Sequence, residues 1–61
     1  MPVDAEQWLT TTTQALAGST LSHRDCRDMV LIAMELAEAP GFDPDAANAT
    51  LAAAINQRTS A

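Results

Sequence analysis

Three times along its 61 residues this chain spells out the start of an α-helix, and the first two starts are each followed by a stop. Asp4 with Gln7 three positions on forms a capping-box pattern, in which the cap side chain accepts from a backbone N–H that the helix leaves orphaned. Val3 before that cap and Trp8 four beyond it have the spacing of a hydrophobic staple. Gly18 then offers a left-handed C′ position. Ser22 and Asp25 repeat the start, with Leu21 and Cys26 placed to staple it. Pro40-Gly41 closes that second segment, because proline has no N–H to donate and clashes with the preceding turn. The third start is Asp43-Pro44-Asp45: a cap, a residue with φ preset for the first turn, and an acid facing the positive end of the dipole. Phe42 precedes this cap as a staple residue, and Arg58 suits the negative end of the same helix.

These signals predict helices over 5–17, 23–39 and 44–58. The sequence has no strand-period segment and no hairpin turn, so the expected class is all-α. Short connections favour antiparallel neighbours. The predicted fold is a small three-helix bundle, up-down-up, either closed on itself or completed by dimerisation or by a partner chain.

The apolar stripes differ among the three segments. The first carries Ala5, Trp8, Leu9, Thr12 and Leu16 on one face. Its weak point is the run Thr10 to Thr13, since β-branched residues lose side-chain freedom in a helix. In the second, Cys26, Met29, Val30, Ile32, Ala33, Met34, Leu36 and Ala37 cover more than half the circumference. A surface helix has a narrower stripe, so this is the expected central helix, touched on two sides. The third presents Ala47, Leu51, Ala54 and Ile55 to the core and Ala46, Ala49, Ala52 and Ala53 to the other side.

So short a chain buries only about 60% of its unfolded surface, and small domains usually add disulfides, a metal or a second chain. Cys26 is the single cysteine and His23 the single histidine. They allow no internal disulfide and too few ligands for a structural zinc. No cofactor or metal is expected, which leaves burial against another protein chain, a second copy or a larger heterologous partner. Eight acidic residues against Arg24, Arg27 and Arg58, with no lysine, give a net charge of −5. That balance speaks against direct nucleic-acid binding and against an anionic membrane surface. No apolar run is long enough to span a bilayer, and the first residues lack the charge and apolar stretch of a signal peptide. The expected location is cytoplasmic. The wealth of alanine, and of arginine without lysine, fits a high-GC bacterial coding bias.

His23 and Cys26 stand three apart in the first turns of the second helix, close to the spacing of a thiolate site. Cys26 also falls in line with Val30, Ala33 and Ala37, where a free cysteine behaves as a small hydrophobe. The chain supplies no orienting group or oxyanion site for a nucleophile. The acids at positions 4, 25, 43 and 45 are accounted for by helix starts. Asp28, Glu35 and Glu38 share a solvated face, where Arg24 can pair with Asp28 one turn away. Asp43-Pro44-Asp45 is too short for a calcium loop, and two isolated glycines make no phosphate loop. The expectation is a protein that is not an enzyme.

Leu31 carries the most functional information. A helical wheel sets it among charges of both signs, away from the apolar stripe, as an interface anchor with a polar rim would be. The candidate partner-binding set is Leu31, Arg27, Glu35, Met34 and Glu38. The expected function is a small acidic helical protein-interaction module, an accessory subunit or regulator of a larger protein. The alternative is an acidic inhibitor or antitoxin-like protein that blocks a basic nucleic-acid-binding surface.

Overall fold

In the computed structural model, which describes residues 4–59, local capping chemistry sets where each helix starts. The first helix, α1 (Ala5–Ala17), begins after Asp4, whose carboxylate accepts from the Gln7 N–H at 2.7 Å. Ser22 caps α2 (His23–Glu38) by accepting from the Asp25 N–H at 3.1 Å. Before α3 (Pro44–Thr59), the Asp43 carboxylate accepts from the Asp45 N–H and its carbonyl from the Ala47 N–H. Val3, the other half of the first staple, lies outside the described residues.

The helix ends hold two departures from expectation. α2 stops at Glu38 rather than 39, because Ala39 precedes Pro40 and is held extended at ψ 139°. Gly41 then takes φ 71°, a conformation that favours glycine. Gly18 does not, and here the expectation is corrected. Its φ is −89°, and the exit from α1 is made by Ser19, whose N–H and hydroxyl both donate to the Leu16 carbonyl. At the far end, α3 continues one residue past 58, to Thr59. The threonine run stays helical, with the Thr10 and Thr13 hydroxyls donating back to the carbonyls of Glu6 and Thr10.

Contacts at the helix ends fix the topology. The Cys26 thiol lies 3.4 Å from the Leu16 carbonyl, joining the end of α1 to the start of α2. At the opposite end the Trp8 ring meets Phe42, with centroids 5.4 Å apart and planes at 57°. These two contacts make α1 and α2 antiparallel. Arg58, near the end of α3, reaches Asp28 at 2.9 Å and Asp25 at 3.5 Å on the first turns of α2. The bundle therefore runs up-down-up. This fork also corrects the expected Arg24–Asp28 pair: Asp28 is taken by the guanidinium that α3 delivers, and Arg24 is exposed.

Each helix gives two side chains to the buried core: Trp8 and Leu16, Met29 and Ala33, Ala47 and Leu51. Met29 and Ala33 are fully buried, as befits the central helix. Cys26, Val30, Ile32, Leu36 and Ala37 pack around them half-buried. α1 lies along one flank of α2 and α3 along the other, while α1 and α3 approach each other at few points. The three helices thus share one core, with the α1/α3 seam the least closely packed.

Candidate functional site

The sequence-derived site residues all lie on α2, and the structure places each of them in solvent. Arg27, Leu31, Met34, Glu35 and Glu38 are exposed, and their spacing puts them on one side of the helix. Leu31 is 50% exposed and Met34 41%. Met34 was expected on the apolar stripe, yet it falls at the stripe's edge, beyond the reach of α1. The five residues form a ridge on a single helix. A ridge of this kind offers an anchor to a partner's pocket rather than a pocket of its own.

A concave feature lies on the opposite side of the molecule. Because α1 and α3 barely meet, a groove runs between them with a cavity of about 500 Å³. Its α1 wall is Thr11, Thr12, Ala15 and Leu16, and its α3 wall is Asn48, Leu51 and Ile55. Leu21, from the connection before α2, closes one end. Towards the N-terminal ends of α1 and α3 the same groove continues into a second space of 410 Å³, lined by Gln7, Trp8, Pro44 and Asp45. Thr11, Thr12 and Asn48 border both spaces. Beside them the Trp8 indole N–H donates to the Asn48 side-chain oxygen at 2.9 Å, tying α1 to α3 across the groove.

Local chemistry explains why this seam stays open. Trp8 and Leu16 on α1, and Ala47 and Leu51 on α3, are buried in a core they share with Met29 and Ala33 of α2. Threonine and asparagine flank those stripes, and they face each other across the gap. Sequence reasoning placed Thr12 on a core stripe, passed over Asn48, and drew no groove from them. The missing signal was the conjunction: small polar residues bordering two stripes that share one partner helix.

The remaining chemistry-bearing groups are structurally occupied or dispersed. The Cys26 thiol is half-buried against the Leu16 carbonyl, while His23 is exposed. Asp4 and Asp43 cap helices, and Asp25 and Asp28 hold Arg58. Among the described residues, no group of three or more His, Cys, Asp or Glu side chains could hold a metal ion. No described helix is long and apolar enough to cross a membrane. Compared with protein-family models, curated proteins and solved structures, the chain matches none.

Proposed function

We propose that this chain is a non-catalytic protein-interaction module, an accessory subunit or regulator that receives a helix of a larger protein. The observation that carries the reading is the α1/α3 groove, whose larger part sets Leu16, Leu21, Leu51 and Ile55 among small and uncharged polar residues. A helix laid into such a groove by its apolar face is a recurrent mode of peptide recognition. Leu31 and Met34 on the outward ridge of α2, rimmed by Arg27, Glu35 and Glu38, supply a second apolar contact for the same partner or another.

The competing reading, an acidic inhibitor of a nucleic-acid-binding surface, has less behind it. Two of its carboxylates cap helices, two more share Arg58, and the other four are divided among the three helices rather than set in a row at phosphate spacing.

A photo-crosslinking amino acid placed at Ala15 in the groove, or at Leu31 on the ridge, tests the proposal in the cells of origin. The expected result is a discrete protein adduct from position 15. An adduct from position 31 alone moves the docking site to the α2 ridge. Absence of adducts from both positions removes the interaction reading.

A further inference from the structure

We infer that the α1/α3 groove takes a basic amphipathic helix from another protein, running antiparallel to α1 and α3 with Lys or Arg in its C-terminal turn. The inference deepens the docking reading above and rests on it.

Geometry supplies the shape of the occupant. α2 is antiparallel to both neighbours, so α1 and α3 point the same way. An occupant of the groove between them that runs antiparallel to both would continue the alternation of an up-down-up-down bundle. Between Gln7 and Leu16 the groove measures about 14 Å along α1, the length of about two and a half helical turns.

Charge supplies the polarity. On α1 and its cap the charged residues are Asp4 and Glu6, and at the start of α3 they are Asp43 and Asp45. Since α1 and α3 are parallel, these four carboxylates lie towards one end of the groove; Asp45 lines it, while Asp4 and Asp43 also cap their helices and add their charge from nearby. All three arginines are elsewhere. Arg24 and Arg27 are exposed on α2, and Arg58 is held by Asp25 and Asp28. The groove therefore carries acidic charge at one end and none at the other, where Ala15, Leu16, Leu21, Leu51 and Ile55 line it together with uncharged Ser19 and Thr20. An antiparallel occupant brings its C-terminus to the acidic end. Lys or Arg in that last turn answers both the four carboxylates and the occupant's own dipole. A second copy of this chain is the poorer occupant, because each copy carries a net charge of −5 and its like charges oppose association.

The test selects binders from a displayed library of three-turn amphipathic helices, with a leucine stripe held constant and the other positions randomised. Binding of each selected peptide is then read by the fluorescence of Trp8, the sole tryptophan, which lines the groove. Selected helices should be enriched in Lys and Arg in the last turn, and their binding should weaken as salt rises. Asp45→Lys, which reverses the one charge lining that end, should weaken them about fivefold at low salt. Ala15→Glu should abolish binding, while Ala53→Glu, on an exposed position outside the groove, should leave it unchanged. Circular dichroism of each variant separates a lost site from a lost fold.

Selected helices without charge bias, or with acidic last turns, overturn the inference while leaving groove docking intact. Helices that bind the Ala15→Glu variant as well as the parent overturn both. A dimer by light scattering that Ala15→Glu dissociates replaces the basic helix with a second copy.

Discussion

The seams that α2 makes with α1 and α3 are filled by apolar side chains from both partners, whereas the seam between α1 and α3 holds a groove bridged by one hydrogen bond. All three seams draw on helices of similar length, so helix propensity does not separate them. What separates them is how many apolar stripes each helix owns. α2 is apolar around much of its circumference and satisfies two neighbours. α1 and α3 own one stripe each, and both turn it to the core shared with α2. The faces left to meet each other carry threonine, alanine and asparagine. In this chain the seam between α1 and α3 would close more tightly with a wider apolar stripe on either helix, or with a fourth helix laid against it.

The largest expected effect lies where the two closed seams meet. Met29 is fully buried, with core side chains of α1 and α3 packed around it. Truncating a buried methionine to alanine removes its burial and leaves a cavity, at a cost of about 3 kcal/mol. Domains this small have little more than that to lose. Met29→Ala should therefore populate the unfolded state substantially at room temperature, read by urea denaturation followed through circular dichroism. Leu51→Ala, whose side chain is also part of a groove wall, tests the comparison directly. Because solvent can follow into the groove, its loss should be smaller than that of Met29→Ala. Equal losses would mean that the groove is as well packed as the α2 seams.

The difference between the seams also explains what could be read from sequence. Helix starts depend on residues three or four apart, so Asp4, Ser22 and Asp43 announced them, and Pro40 announced the end of α2. The central role of α2 was legible because the width of its apolar stripe is a property of one helix. The groove was not, since it depends on the angle that α1 and α3 subtend at α2. Long-range polar ties were equally hidden: Trp8 and Asn48 stand 40 residues apart, and Arg58 and Asp28 stand 30 apart. Local reasoning paired Asp28 with Arg24 because it could not see that α3 brings Arg58 alongside. It also asked Gly18 for a left-handed turn that Ser19, one residue on, makes unnecessary. The ridge around Leu31 was visible because a charged neighbourhood on a helical wheel needs no partner to define it.

A smaller effect should follow from untying the open seam. Trp8→Phe keeps an aromatic ring against Phe42 but removes the N–H that reaches Asn48. Asn48 is exposed, so water can replace the lost donor, and the bond itself should contribute about 1 kcal/mol; the smaller ring at a buried position adds a packing cost of its own. A double-mutant cycle with Asn48→Ala isolates that bond. Hydrogen exchange locates it: protection should fall in the first turns of α1 and α3 and stay unchanged along α2. If protection fell equally in all three helices, the hydrogen bond would be supporting the core as a whole rather than one seam.

The smallest effect should come from a tie on a seam that is already closed. Arg58 bridges α3 to Asp25 and Asp28, but its side chain is 42% exposed and those of the acids 30% and 34%. Ion pairs so open to water contribute about 0.5 kcal/mol and lose it to screening. Arg58→Ala should lower stability by that amount in dilute buffer, and raising the salt concentration should erase the difference from the parent chain. Arg58→Lys should recover most of the loss, since both contacts come from a single guanidinium nitrogen and an ammonium can donate to two carboxylates as well. The Trp8–Asn48 bond is between neutral groups and should respond little to the same salt titration. A salt-insensitive loss at Arg58 would show that its alkyl stem, packed along the α2/α3 seam, matters more than its charge. That outcome would extend the apolar closure of this seam to its last turn and deepen its contrast with the groove on the other side of α3.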